Sequence, residues 1–376
     1  MDYCKTKEQI SICQEVKRFA QNELSQLTGQ KFDKTFWQKC ADFGLLGMCI
    51  PEEYGGMGLD YLTSAMILET LGKNCTDNGF IFAITNHIWV CQQVINQFGS
   101  AQAKQYYLPK LVSGEAIGCY AITEPDSGSD VFSMHSKAEE KKDCFILNGS
   151  KTFISNAPIA DVFVVVANTI DQNGNKGLSS FIVEKSFDGL SVGNTIEKMG
   201  LEGCPMGELF FDNCIIPKNN LLFSFNKGLK VANWALQMER VFEFASHIGS
   251  MERIMDGCIK YSNERIQQGK QIKNYQSITN KIVDMKVSIE MARNYLYKVA
   301  WQADQGKNIF LESSIIKLFI SENYVKTCMD ALQIHGAYGY SKEYPYEAEV
   351  RDSLASTIYS GTSEIQKNII FQLIDF

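Results

Sequence analysis

Hydrophobic positions follow three different spacings along the chain. In residues 5–118, apolar side chains recur at the three- to four-residue spacing of amphipathic helices. In residues 119–222, short β-branched and aromatic runs such as residues 162–166 appear, with turn sequences such as Asn148-Gly149 between some of them. From residue 228 onward, long helical spacings return. The pattern therefore predicts helices, then strands, then helices.

This order divides the chain into three domains. We expect an N-terminal α-helical domain over residues 1–118, a middle antiparallel β domain over residues 119–223 and a C-terminal helical domain over residues 224–376. Long amphipathic helices joined by short loops pack as four-helix bundles, so a bundle is the expected form of the last domain. The predicted fold class is α+β.

Composition and charge argue against several functional classes. The chain has 376 residues, 45% of them hydrophobic, which is ample for a large core. Its formal net charge of −7 argues against nucleic-acid binding, which draws affinity from clustered Lys and Arg. No apolar stretch approaches the roughly 18 residues that cross a bilayer, and the first residues lack a signal-peptide pattern. We expect a cytoplasmic protein with neither a nucleic-acid nor a membrane partner.

The 12 cysteines and four histidines form no metal-binding pattern. There is no Cys-x-x-Cys pair, and the histidines are spread singly along the chain. Zinc sites need several such ligands at short, regular spacings. We therefore expect reduced thiols that pack as small apolar residues, and no metal.

A loop dense in hydroxyl groups and glycine follows the first predicted strand. It occupies residues 120–131 and reads Tyr-Ala-Ile-Thr-Glu-Pro-Asp-Ser-Gly-Ser-Asp-Val. Backbone N–H groups and side-chain donors in such a loop can bind the polar edge of a ligand. The same residues also fit an ordinary Pro-Asp-Ser-Gly turn.

A second candidate segment lies at residues 151–157. Phe153 offers an apolar ring there, and Ser155 offers a hydroxyl donor. The segment also fits a strand of the β domain, and both descriptions can hold at once.

A glutamate–arginine step, Glu239-Arg240, lies in the helical run of residues 229–259. One helix face is shared, by their spacing, by Ala235, Glu239, Phe242 and Ser246. If that face is covered, burial raises the carboxyl pKa, which suits a general base. The same spacing also fits a solvated glutamate, and Glu243, one turn further on, is a rival candidate.

These segments, together with residues 358–366, resemble the flavin-dependent acyl-CoA dehydrogenase family. That family carries Tyr-x-x-Thr-Glu-Pro-x-x-Gly-Ser-Asp in the loop that contacts the flavin, and residues 120–130 match it. Residues 153–156 are similar to its Trp-Ile-Thr-Asn strand. Residues 265–269 and 333–339 resemble segments that reach the FAD of a neighbouring subunit. The resemblance covers nearly the whole chain and implies a helical domain, a β domain and a C-terminal four-helix bundle.

The expected position of the catalytic base differs from that in most members of this family. Most members carry a glutamate just before the Gly-Thr of the downstream segment, where this chain has Ser360. A hydroxyl is not an efficient base near neutral pH. A minority branch, which includes the isovaleryl and long-chain enzymes, places the base on the earlier helix. Glu239 matches that location, so the resemblance implies proton abstraction by Glu239.

The resemblance also implies roles for further residues. Ser129, Arg240 and Gly361 are expected to contact the substrate. The expected FAD contacts are made by Tyr120, Ile122, Thr123, Gly128, Ser129, Phe153, Ser155, Arg265, Gln276, Gln333, Gly336, Ala337, Thr362 and Glu364. Because some of these contacts come from a second subunit in the family, we expect a homodimer or homotetramer.

The implied reaction is α,β-oxidation of an acyl thioester. The base removes the proton next to the thioester carbonyl, and flavin N5 accepts a hydride from the adjacent atom. In residues 198–211, Glu202 and Cys204 stand where the family commonly has arginine and serine. This segment resembles biosynthetic members, among them prolyl-carrier-protein dehydrogenases. We therefore expect an acyl or aminoacyl thioester on a carrier protein, with CoA as the alternative carrier.

Other functions within the superfamily stay open. The runner-up is a short or branched-chain acyl-CoA dehydrogenase of catabolism. A hypothesis from another class is a flavin-containing protein without dehydrogenase activity, as among DNA-associated relatives, against which the net charge and Glu239 argue. The electron acceptor is either an electron-transfer flavoprotein or oxygen.

Overall fold

A computed structural model of the protein describes residues 5–27, 31–170, 174 and 176–374. The first part of the described chain is a set of helices. Polar caps set where several of these helices begin. Asp60 accepts a hydrogen bond from the Thr63 N–H at 2.6 Å, and Asp77 accepts one from the Phe80 N–H at 2.8 Å. The helices are α1 (Lys7–Glu23), α2 (Lys34–Asp42), α3 (Tyr61–Asn74), α4 (Asn78–Asn86), α5 (Gln93–Phe98) and α6 (Ala101–Val112).

A β domain follows these helices. Its strands are β1 (Gly118–Ala121), β2 (Lys137–Glu140), β3 (Cys144–Ser155), β4 (Val162–Ile170), β5 (Lys176–Glu184), β6 (Leu190–Thr195), β7 (Met206–Pro217) and β8 (Leu221–Leu222). They form one sheet in the order β6-β7-β3-β2-β4-β5-β8, and β1 pairs with β4.

This sheet is mixed, not wholly antiparallel as expected. β3, β5, β6, β7 and β8 make antiparallel pairs, but β1 and β2 both run parallel to β4. Parallel neighbours need a long connection, and residues 122–161 provide one between β1 and β4. The hydroxyl-rich loop is the first part of that connection.

The last part of the chain is helical again. It contains a short hairpin of β9 (Ile266–Gln267) and β10 (Lys270–Gln271), with the helices α7 (Gly228–Glu264), α8 (Gln276–Asp304), α9 (Phe310–His335), α10 (Ala337–Tyr340), α11 (Tyr346–Ala355) and α12 (Ser363–Leu373). α7, α8 and α9 pack on one another, and α11 and α12 pack on α9. The predicted α+β class is confirmed.

The middle of α7 lies where two cores meet. Ala235 packs in the core between the N-terminal helices and the sheet, which also holds Tyr120 of β1. Met238 and Phe242 pack in the larger helical core. α7 therefore brings the Glu239-Arg240 step to the junction of the helices and the sheet.

The described residues contain no helix long and apolar enough to cross a membrane. Within the same residues, no group of three or more His, Cys, Asp or Glu side chains could hold a metal ion.

Candidate active site

The Glu239-Arg240 step is buried, with 7% and 3% of the two residues exposed. Arg240 donates through Nε to the Ser360 carbonyl oxygen at 3.0 Å, which joins α7 to the turn before α12. Gly361 in that turn has a φ of +91°, and an added Cβ would lie 3.6 Å from Arg240 Nη2. The structure therefore brings Gly361 close to the Glu239-Arg240 step, although the two segments lie far apart in the sequence.

Two cationic side chains lie near the Glu239 carboxyl. Burial raises the pKa of Glu239, while the Ser360 hydroxyl and the charges of Arg240 and Lys317 lower it. Burial also lowers the pKa of Lys317 to about 8. Glu239 is therefore a desolvated carboxyl whose ionised form is supported by its neighbours, a suitable environment for a base.

A second buried carboxyl, Glu243, lies one turn further along α7. It accepts a hydrogen bond from the Thr85 hydroxyl of α4, while its Oε1 is buried and has no hydrogen-bond partner in the described part of the chain. Burial raises the pKa of Glu243 well above its usual range, and the charge of Glu239 raises it further. The cations near Glu239 therefore favour ionisation of Glu239 over that of Glu243.

A tyrosine and a histidine complete this buried cluster. Burial and the charges of Glu243 and Glu239 raise the pKa of Tyr359, which places its hydroxyl near both carboxyls. That hydroxyl is hydrogen-bonded to His247 Nε2 at 2.5 Å. Because burial lowers the pKa of His247 to about 3, the imidazole is neutral and adds no positive charge.

β1 brings the hydroxyl-rich loop to this cluster. Tyr120 is buried, its hydroxyl has no hydrogen-bond partner among the described residues, and its pKa is raised by burial and by the charge of Glu239. Ile122 packs against the same core as Tyr120. Gly128 and Ser129 are exposed further along the loop, and an added Cβ at Gly128 would meet no atom of the described residues within 4 Å. The loop backbone is therefore open to a ligand.

A buried ion pair fixes the base of this loop. Lys151 Nζ lies 2.7 Å from Glu124 Oε1, and the two side chains are 0% and 3% exposed. The Glu124 carboxylate also accepts hydrogen bonds from the backbone N–H groups of Ser136, at 3.0 Å, and of His135. The Thr123 carbonyl accepts a backbone N–H from β3 at 3.0 Å. The start of the loop is thereby tied to β3 and to the residues just before β2.

β3 is irregular where it presents the aromatic candidate. Its pairing with β7 shifts register between Lys151 and Ile154, and Phe153 between them has a φ of +57°. The Phe153 residue is 58% exposed, while Ser155 is half-buried. Bulges of this kind re-aim a side chain and occur next to active sites. An exposed ring beside an open loop suits contact with a flat ligand.

A separate cavity of about 370 Å³ brings together two other predicted segments. Arg265, Gly336 and Ala337 line it, with the rings of Tyr261, Tyr275 and Tyr338. The stretch of α7 from Glu239 to Glu264 spans roughly 37 Å at 1.5 Å per residue. The cavity therefore lies at the C-terminal end of α7, away from the carboxyl cluster.

The remaining predicted cofactor residues lie at helix ends. Gln276 begins α8 and Gln333 lies near the end of α9, and both are exposed. The Thr362 hydroxyl caps α12 by accepting the Ile365 N–H at 3.3 Å, and Glu364 is exposed in its first turn. Their contact with a cofactor stays a prediction.

Sequence reasoning missed several members of the site. The sequence does indicate Lys317 as unusual, because this cation interrupts the apolar run of residues 315–320. It gives no such indication for Thr85, since this residue lies 158 residues before the glutamate that it contacts. The Lys151–Glu124 pair joins two segments that lie 27 residues apart, and neither segment alone indicates the other.

Comparisons with known proteins match the three-part order of this chain. Family models described as the N-terminal, middle and C-terminal domains of acyl-CoA dehydrogenase match residues 6–115, 119–214 and 226–374. An L-prolyl peptidyl-carrier protein dehydrogenase of Pseudomonas fluorescens is 40% identical over 360 residues, 96% of this chain and 94% of that relative. The crystal structure of the prolyl acyl carrier protein oxidase AnaB has a TM-score of 0.96 and 40% identity, covering 99% of this chain and 100% of that one. An FAD complex of PigA has a TM-score of 0.95 and 34% identity, covering 99% and 98%.

Proposed function

The chain belongs to the acyl-CoA dehydrogenase family, and on that premise we propose that it oxidises a carrier-protein-bound aminoacyl thioester of the prolyl type. The names of its carrier-protein relatives support this substrate. The observation that carries the proposal is the pair of buried carboxyls on α7, of which Glu239 lies near two cations.

Glu239 is the base in this proposal. It removes the proton from the substrate carbon next to the thioester carbonyl, because its carboxyl is desolvated and ionises before that of Glu243. Arg240 is held by the Ser360 carbonyl, while its Nη1 is buried and unpaired among the described residues. That nitrogen is free to donate a hydrogen bond to the substrate. Donors of this kind stabilise the enolate that develops at the thioester oxygen.

The residues of the β domain fit FAD. The exposed Phe153 ring offers a face to a flat ring system, and the loop at Gly128 and Ser129 offers open backbone. The buried Tyr120 hydroxyl has no hydrogen-bond partner among the described residues. When bound, FAD supplies the hydride acceptor at N5. The protein supplies the base, the orientation and the exclusion of water.

The FAD contacts come from two subunits. The cavity at Arg265 and Gly336 lies roughly 37 Å along α7 from Glu239, which an extended dinucleotide does not span. α8 also exposes an apolar stripe, with Val283, Val287 and Met291 each more than half exposed. Such a stripe is typical of a surface that another copy covers. The assembly is therefore a homodimer or homotetramer.

The electrons taken up by the flavin pass to an electron-transfer flavoprotein or to oxygen.

The carrier is a protein rather than CoA. Glu202 stands where the family commonly has arginine, and its carboxylate lies 3.5 Å from Arg351 Nη1. Arg351 also pairs with Glu347 at 2.8 Å, so two acidic groups neutralise this cation. A carrier protein presents its phosphopantetheine arm without the 3′-phosphate of CoA, so its binding needs fewer free cations.

A panel of thioesters tests this function. FAD-loaded protein is mixed anaerobically with prolyl, butyryl and isovaleryl thioesters, each on CoA and on a carrier protein. We expect prolyl on the carrier protein to give the highest kcat/KM for flavin bleaching, above prolyl-CoA by about tenfold, which corresponds to 1.4 kcal/mol. Equal or better use of the CoA esters contradicts the carrier proposal. Preference for butyryl-CoA or isovaleryl-CoA supports a catabolic acyl-CoA dehydrogenase instead.

A further inference from the structure

Glu243 holds a polar atom that proton abstraction by Glu239 does not use. The residue is 1% exposed, and its Oε1 has no hydrogen-bond partner in the described part of the chain. Its other carboxyl oxygen accepts from Thr85. Buried polar atoms are nearly always paired, and an unpaired one costs free energy that a bound ligand can recover. The described part of the chain therefore supplies no hydrogen-bond donor to this oxygen.

The position of Glu243 defines which part of a substrate it can reach. Residues four apart on a helix have Cβ atoms about 5–6 Å from each other, so Glu239 and Glu243 face the same small volume. A substrate carbon that gives its proton to Glu239 places its own substituents near Glu243. In an aminoacyl thioester one substituent on that carbon is the amine nitrogen. In a simple acyl thioester every substituent is carbon or hydrogen, and none can form this hydrogen bond.

We infer that Glu243 selects aminoacyl over simple acyl thioesters by hydrogen-bonding, through its free carboxyl oxygen, to the amine nitrogen on the reacting carbon. The inference rests on the proposed function, because it specifies the substrate of the same site. The carboxyl and the amine share one proton. A protonated Glu243 donates to a neutral amine, and an ionised Glu243 accepts from an ammonium, so both routes give the same complex.

The described neighbours of Glu243 provide neither a cation nor a donor to its second carboxyl oxygen. The Tyr359 hydroxyl is engaged with His247 at 2.5 Å. Arg240 and Lys317 act on the pKa of Glu239, whereas Thr85 and Glu239 are the groups that act on that of Glu243 besides burial. No cationic side chain of the described residues forms an ion pair with Glu243. An amine carries the charge and the N–H donors that the described residues do not supply to this carboxyl oxygen.

Two matched substrates test the inference without changing the protein. L-Prolyl and cyclopentanecarboxyl thioesters on the same carrier protein differ only by the ring nitrogen. Wild-type protein is expected to show a KM for flavin reduction about 10- to 100-fold lower with the prolyl ester, the range of a hydrogen bond involving a charged group. Similar KM values for both esters overturn the inference while the proposed dehydrogenation stands. No flavin reduction by either ester overturns the proposed function, and the inference falls with it.

The variant Glu243→Gln tests whether this side chain is responsible for the preference for aminoacyl thioesters. Glutamine keeps the shape but removes the charge and the shared proton. The KM for the prolyl ester should therefore rise toward the KM for the cyclopentanecarboxyl ester. The KM for the cyclopentanecarboxyl ester should change little. Ser246→Ala is the matched control, since Ser246 is buried on the same helix and donates to the Glu243 carbonyl oxygen at 2.8 Å. It should affect both esters equally. If Glu243→Gln also weakens both esters equally, its role is structural and the inference is wrong.

Discussion

Replacing Glu239 with glutamine is expected to slow anaerobic flavin reduction by about 10²–10⁴-fold, the range of general-base assistance, while FAD stays bound. Glutamine keeps the size and hydrogen bonding of the buried side chain but cannot accept the substrate proton. Stopped-flow absorbance of the flavin measures the rate directly. Because only the ionised carboxylate is a base, the wild-type rate should rise with pH through the raised pKa of Glu239. The variant should lack that rise.

Ser360→Ala is the control for this prediction. Its hydroxyl lowers the pKa of Glu239, yet the Arg240 contact to residue 360 uses the backbone carbonyl, which alanine retains. The loss in rate should therefore be much smaller than for Glu239→Gln. Near-wild-type flavin reduction by Glu239→Gln would contradict the placement of the base on this residue and would make Glu243 the next candidate.

Replacing Glu124 with glutamine is expected to destabilise the protein by about 3–5 kcal/mol, the effect of removing one partner of a buried ion pair. The variant leaves the Lys151 ammonium buried without its counter-charge, and burial already lowers the pKa of Lys151 to about 8. It also weakens the hydrogen bonds that Glu124 accepts from Ser136 and His135. Urea unfolding of the flavin-free protein measures the loss, and FAD affinity should fall because the loop loses its anchor.

Lys141→Met is a control for this stability prediction. It breaks the pair between Lys141 and Glu139, whose side chains are 52% and 67% exposed, and exposed pairs contribute little to stability because solvent screens them. Its unfolding midpoint should stay close to that of the wild type. If Glu124→Gln has as small an effect as Lys141→Met, the buried pair does not anchor the loop.

Much of the architecture could be predicted because local spacing dictates it. The change from helical to β-type spacing near Cys119 coincides with β1, and the long helical pattern around Glu239 coincides with α7. The direction of the strand pairs could not be predicted in the same way. Residue spacing along β1 and β2 does not reveal that both run parallel to β4, because pairing depends on the path of the connecting chain.

The site could be predicted only where a segment carries its own signal. The Glu239-Arg240 step and the turn at Gly361 stand out in the sequence, and the structure brings them together. Lys317, Thr85 and the Lys151–Glu124 pair act through contacts between distant segments, which no single segment reveals. The difference between Glu239 and Glu243 likewise depends on which neighbours each carboxyl meets after folding. The roles of these residues and the domain limits stay predictions.

The most direct test of the central claim is one anaerobic turnover of FAD-loaded protein with L-prolyl thioester on a carrier protein, followed by flavin absorbance and by the mass of the carrier arm. The proposed dehydrogenation predicts that the flavin bleaches and that the arm-bound prolyl group loses two hydrogens. A flavin that stays oxidised beside a prolyl arm of unchanged mass would contradict it.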